Sequence, residues 1–257
     1  MSPLTEELIQ IKERGAAAVL ATVIEAGENG RVGPGDKCLI RDGKVRTGTI
    51  RHEGLLRAIL QEAEVRLKEE KSKLVPLDLP DAGTKVEVFF EVMPSPPKLI
   101  VVGAGHIAVP LVKFAKILDF YVTVIEDRIL FANRERFPDA DEILVGDMAP
   151  TLKGLPITPS TYIVLITRGH KYDEPCLREI IHSPAKYIGM IGSRRRTKAC
   201  FQRFREEEKI AEEIIEKVYA PIGLDIATET PEEIALSILA EIIKVRRGGK
   251  AQSLSGH

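Results

Sequence analysis

The sequence predicts an α/β fold, in which a carboxyl-terminal parallel sheet with helices on both faces is preceded by a smaller α+β domain. Three observations carry this. Residues 98–108, KLIVVGAGHIA, place a short apolar strand directly before Gly103, Gly105 and Ala108 in the spacing G-x-G-x-x-A, which makes the second domain Rossmann-like. Beyond residue 98, strand-length apolar runs alternate with amphipathic helical ones, as in a parallel sheet covered on both faces. Between the halves lies MPSPPK, a proline-rich stretch that forces an extended, poorly pairing connector. The expected division is 1–93 for the first domain, 94–98 for the linker, 99–247 for the Rossmann-like domain and 248–257 for a disordered tail.

Taken in order, the first domain opens with an amphipathic helix at about 4–14, followed by the apolar strand AAVLATVI at 17–24. Two shorter strands, Lys37–Ile40 and Lys44–Thr49, flank Arg41-Asp42-Gly43, and Asp-Gly is a strong hairpin signal. Leu56, Ile59, Leu60, Ala63 and Leu67 recur at helical spacing, so 53–70 reads as an amphipathic helix. Val86–Val92 is the last strand before the linker.

In the second domain, strands are expected at 99–102, 121–125, 143–145, 162–167 and 187–191. Gly103 permits the tight strand-to-helix turn, Gly105 lets the backbone approach a pyrophosphate, and Ala108 lets helix and strand pack closely. The helix start then offers free N–H groups and a positive dipole end to phosphates. Pro110 sits about one turn inside the run HIAVPLVKFAKIL, where it removes a hydrogen bond, so the first turn is irregular or the helix begins later. The chain closes on a well-signalled helix: Thr230 caps it, Pro231 suits its first position and Glu233 completes a T-x-x-E box.

Composition narrows the function classes. A net charge of −1 over 257 residues gives no field toward nucleic acid or membrane. Cys38, Cys176 and Cys200 are widely spaced, which points to a reducing compartment and away from a disulfide framework or structural zinc. The amino terminus reads as a helix carrying Glu6, Glu7 and Glu13 rather than a signal peptide, and the apolar runs are strand-sized. The expectation is a soluble cytoplasmic protein.

Ligands of a parallel α/β sheet bind outside the carboxyl ends of its strands. That edge should gather Gly103, Ala104, Gly105 and His106 from the first strand and Glu126, Asp127 and Arg128 from the second. Thr167 to His170 with Asp173 follow the fourth, and Gly192 to Arg195 the fifth. Glu126, at roughly the 20-residue remove from Gly103 expected for a ribose-binding acid, favours NAD over NADP, a preference that Arg128 softens; a purely structural role is the alternative. His106 either contacts a phosphate or second ligand, or bonds its own backbone at the helix start. His170 and Asp173 read either as an acid/base pair or as polar caps of the next helix. Ser193 and Arg194 read as an anion nest or as an N-cap ahead of a solvated basic face. Cys176 reads as a small core residue, the Arg194–Lys198 run as a helix surface, and the histidines are too scattered to propose a metal site.

Several segments together resemble a known family: LIVVGAGHIA, VIEDR followed by FANRERFP, TRGHKYDE, YIGMIGSRRR and PIGLDIATETPEEIALSILAEI, in that order over about residues 97–245. They are similar to the xanthine dehydrogenase accessory factor family, XdhC/CoxI. The resemblance implies a homodimeric protein that binds molybdenum cofactor (molybdopterin), supports its maturation and helps load it into a molybdenum hydroxylase client. It also implies site roles for Gly103, Gly105, His106, Glu126, His170, Asp173, Ser193, Arg194, Asp225 and Glu229. Asp225 and Glu229 flank a turn before the final helix, where ordinary capping is the alternative.

The amino-terminal domain is divergent. The family's Gly-Ser-x-Pro-Arg-like loop and later glycine triplet fall here on AGENGRVGPGDKCLI and GTIRHEGLL, with Arg51-His52-Glu53 in place of the glycines. Bulky side chains there prevent the close backbone approach that glycine allows. The leading functional expectation is therefore an accessory protein that holds molybdenum cofactor and/or NAD(P). The rival readings are an NAD-dependent oxidoreductase using His170 and Asp173, or an NAD(H)-sensing regulatory domain.

Overall fold

The computed structural model describes residues 2–14, 16–26, 32–79 and 84–255. The chain forms two compact units, Met1–Pro96 and Pro97–His257.

The first unit contains, in order, α1 (Pro3–Arg14), β1 (Ala18–Glu25), β2 (Lys37–Arg41), β3 (Lys44–Gly48), α2 (Glu53–Glu69), β4 (Lys73–Leu79) and β5 (Thr84–Met93). Its strands form an antiparallel sheet in the order β3-β2-β1-β5-β4. The β2–β3 hairpin turns on Asp42 and Gly43, both at positive φ (54° and 68°), as a primed turn requires. Leu55, Ile59 and Ala63 line the buried face of α2 and share a core with Val19, Val88 and Phe90. Strand β4 was not expected, since Pro76 and Asp78 spoil its β signature. It lies at the sheet edge, where a missing N–H is tolerated.

The charged triplet Arg51-His52-Glu53 proves to be a helix start. His52 caps α2 by accepting the Leu55 N–H on Nδ1 at 3.2 Å, and Glu53 begins the helix. Residues 27–31 of the divergent AGENGRVGPGDKCLI stretch lie outside the described residues.

The second unit runs β6 (Lys98–Val102), α3 (Ala108–Ile117), β7 (Tyr121–Glu126), β8 (Glu142–Val145), α4 (Met148–Lys153), β9 (Thr161–Leu165), α5 (His170–Ile180), β10 (Tyr187–Met190), α6 (Arg194–Glu206), α7 (Glu212–Ile215), β11 (Val218–Tyr219) and α8 (Pro231–Arg247). All its strand pairs are parallel, in the order β11-β10-β9-β6-β7-β8. This is the expected mixed α/β architecture with a Rossmann-like sheet, and the strand order reverses between β6 and β9.

Alternate residues of each strand serve opposite faces. Leu99, Val101 and Val124 pack with Leu111, Ala235 and Ile238 of α3 and α8. Ile100, Val102 and Leu165 pack on the other face with Leu177, Cys200 and Phe204 of α5 and α6. Helix α3 begins at Ala108, so Pro110 falls within the first turn, where its missing N–H has no helical partner to lose. Helix α8 has the full capping box read from Thr230 and Glu233.

Candidate functional site

The β6–α3 turn is built by close contact with its neighbour. Gly103 has φ +104°, and a Cβ there would lie 2.5 Å from the Ile166 carbonyl oxygen and 2.9 Å from the Thr167 Cα. The glycine thus lets the exit of β9 press against the exit of β6. Gly105 differs: a Cβ there would meet nothing within 4 Å. The next residues lead into α3, whose N-cap Ile107 makes no side-chain capping bond. The first N–H groups of this helix therefore stay available to an acceptor. His106 is exposed beside them.

Glu126, at the end of β7, is turned inward and only 2% exposed. Its carboxylate accepts the Ala104 N–H at 2.9 Å, Arg128 Nε at 2.8 Å and Nη2 at 3.1 Å, and Arg168 Nη1 at 3.2 Å. On the other side of the loop, Arg136 donates to the Ala104 carbonyl at 2.8 Å and to the Phe131 carbonyl at 3.1 Å. Asp127 receives both Arg168 Nη atoms, each at 2.6 Å, and this fork holds its carboxyl well below the usual carboxylate range. Arg168 also stacks on Tyr172, 3.9 Å from the ring centroid.

One strand further along, a cleft of about 520 Å³ opens between the β9–α5 and β10–α6 connections. Thr167 to His170, Asp173 and Glu174 form one side of its lining, and Gly192, Arg195, Arg196, Thr197 and Arg203 the other. Met190, Ile191, Ala199 and Cys200 supply apolar surface. Asp173 is 6% exposed and accepts from Thr167 Oγ1 at 2.6 Å. Burial pushes its carboxyl up to about 6, against the Thr167 hydrogen bonds and the nearby His170.

Arg203 pairs with Glu174, whereas the guanidinium groups of Arg195 and Arg196 have no carboxylate partner among the described residues. Ser193 caps α6 by accepting the Arg196 N–H at 3.3 Å. The Cys200 and Cys176 thiols are each pushed up to about 12 by burial, which leaves them poor nucleophiles.

The sequence-predicted residues therefore fall into three groups. Gly103–His106 and Glu126–Arg128 gather around the turn, while His170 and Asp173 share the cleft, although no hydrogen bond joins them. Arg194 and Asp225 form an exposed pair at 3.2 Å, and the Glu229 N–H donates to Glu233 at 2.7 Å as part of the α8 cap; neither Asp225 nor Glu229 lines the cleft.

Sequence reasoning missed the roles of Arg136, Arg168, Arg196 and Arg203. Topology places Arg168 at the edge with Thr167 to His170 but does not give its bonds, and Arg196 lies in the first turn of α6, inside the run that reads as a helix surface. Arg136 and Arg203 reach their partners through the fold, with no local signal. Among the described residues no group of three or more His, Cys, Asp and Glu stands ready to hold a metal ion, and no helix is long and apolar enough to cross a membrane.

Comparison with known proteins adds three findings. The family described as the XdhC Rossmann domain matches residues 99–242. An uncharacterized Escherichia coli protein, YqeB, is 28% identical over 98% of this chain and 49% of its own length. A Bacillus subtilis protein named as a probable xanthine dehydrogenase component is 28% identical over 81% of this chain and 63% of its own. The chain thus spans about half of one relative and less than two thirds of the other. A Bacillus halodurans crystal structure described as a xanthine dehydrogenase superposes with a TM-score of 0.56 at 22% identity, covering 100% of this chain and 99% of that one. At that identity the likeness is one of fold.

Proposed function

The chain belongs to the xanthine dehydrogenase accessory factor family, XdhC/CoxI, and on that premise we propose that it binds molybdenum cofactor, supports its maturation and passes it to a molybdenum hydroxylase client. One observation carries the binding step. At the point where strand order reverses, Gly105 faces open space beside a helix start whose N–H groups have no side-chain cap, a cradle shaped for a pyrophosphate or pterin phosphate.

In this reading the backbone of Gly105 and His106 and the first turn of α3 hold the phosphate. Glu126 and Arg136 do not touch the ligand; they clamp the two sides of the Ala104 peptide and hold the turn in shape. Glu126 thereby loses the free oxygens that a ribose contact needs, which weakens the preference for NAD read from its position. The bound cofactor supplies the redox-active metal of the client's chemistry. The accessory chain supplies binding, orientation and release. His170 stands exposed and unbonded to Asp173, so the acid/base pair of a dehydrogenase is not assembled, and this favours a carrier over a turnover enzyme.

The test is molybdopterin content. The full chain is produced in a cell that makes the cofactor, purified and denatured, and released pterin is assayed by its oxidised fluorescence. Near-stoichiometric pterin is expected, falling several-fold in Gly105→Val, which fills the open space beside the helix start. Absence of pterin with retained NAD(P) would sink the carrier reading in favour of a nucleotide-sensing domain. The family relationship also supports a cytoplasmic homodimer, which size-exclusion chromatography with light scattering checks.

A further inference from the structure

The cleft between the β9–α5 and β10–α6 connections is separate from the phosphate cradle, since none of Gly103 to His106 lines it, yet the two share a wall where Gly103 packs on Ile166 and Thr167. It contains an unusual combination. Asp173 is more than nine-tenths buried, has no arginine or lysine partner among the described residues, and is held by Thr167 alone. Across from it, Arg195 and Arg196 present guanidinium groups that no carboxylate neutralises. Arg195 and Arg196 are exposed and solvated, whereas a buried carboxyl without a cation costs stability, so a fold left to itself would pair or remove Asp173. A carboxylate has about four acceptor positions, so donors from a ligand find room beside Thr167.

Building on the cofactor-carrier reading, we propose that this cleft is the ring-binding half of the site and that Asp173 is its specificity-determining residue. Asp173 accepts adjacent N–H donors from the amidine-like edge of a 2-amino-4-oxopyrimidine ring, while Arg195 and Arg196 hold an anionic substituent of the same ligand. The volume suits a bicyclic ring with a short side chain, and Met190 and Ile191 offer it apolar surface. A nicotinamide ring presents a single carboxamide to the same carboxylate and fits this donor demand less well.

Fluorescence titration of the full chain with two probes tests this. Pterin-6-carboxylate carries the 2-amino donor; lumazine-6-carboxylate replaces it with an oxygen that Asp173 would repel. The wild type is expected to favour the pterin by about tenfold or more, the discrimination of a site left with an unpaired buried polar group. Asp173→Asn should erase most of that preference, and Arg195→Ala with Arg196→Ala should weaken both probes alike. Equal binding of the two probes by the wild type, no binding of either, or an undiminished preference in Asp173→Asn would overturn the proposal. The carrier reading fails separately: it falls if the wild type copurifies no molybdopterin, whatever the probes show. If Asp173→Asn copurifies as much molybdopterin as the wild type, only the role of Asp173 is lost.

Discussion

The turn after β6 and the cleft after β9 lie side by side on one sheet edge, and they treat a buried carboxylate in opposite ways. At the turn, Glu126 meets a backbone N–H and two guanidinium groups, and Arg168 is divided between Glu126, Asp127 and Tyr172. In the cleft, Asp173 has only Thr167, and Arg195 and Arg196 have no acid. A saturated network serves shape, because a ligand would have to displace existing bonds to use it. An unsaturated one has acceptor positions open, which is what the proposed ring contact uses. The two residues that a sequence reader would treat alike, Glu126 and Asp173, are therefore separated by their partners rather than by their burial.

The sharpest way to break this contrast is Glu126→Ala. It leaves the Ala104 N–H unpaired beside a hole and takes from Arg128 its closest acid, while Arg168 keeps Asp127 and Tyr172, and a loss of about 2–4 kcal/mol is expected from chemical denaturation. A loss below about 1 kcal/mol would show that the turn does not depend on the carboxylate.

Gly103→Ala should come next, at about 2–4 kcal/mol, since a methyl group would strike the Ile166 carbonyl at a φ that side chains rarely adopt. Its counterpart Gly105→Ala should move stability by no more than about 0.5 kcal/mol, having neither contact nor strain. Equal effects at the two glycines would erase the distinction between a packing glycine and one that faces open space.

Asp173→Asn should go the other way and stabilise the ligand-free protein at neutral pH by on the order of 1–2 kcal/mol. The folded carboxyl titrates near 6 against an ordinary 3.8, so the folded chain binds more protons than the unfolded chain between those values. Stability contributed at this residue is present below about pH 4 and falls as pH rises toward 6, then levels off. Melting temperatures at about pH 4 and about pH 7.5 should thus differ between wild type and variant only at the higher pH. The smallest effect belongs to Arg195→Ala with Arg196→Ala, expected within about 0.5 kcal/mol of wild-type stability while anion affinity drops.

What the sequence determined by itself was whatever rests on local chemistry. The apolar strand, G-x-G-x-x-A turn and following helix are contiguous and each residue meets a local demand, so β6, α3 and β7 were legible to within a few positions. The same holds for the Asp42-Gly43 hairpin and the Thr230–Glu233 capping box. Strand β4 was not legible, because Pro76 and Asp78 are tolerable only at an edge, and edge position is a property of the assembled sheet. Nor was the two-residue β11, too short to carry a period.

At the site, the loops could be assigned to one edge from topology alone, but not their pairing. Glu126 and Arg168 are bonded across 42 positions, and Arg136 and Ala104 across 32. Only the tertiary structure decided that Glu126 is spent on its own loop while Asp173 meets Thr167 alone. Hydrogen bonds depend on distance in space, and no local pattern records which distant side chain arrives.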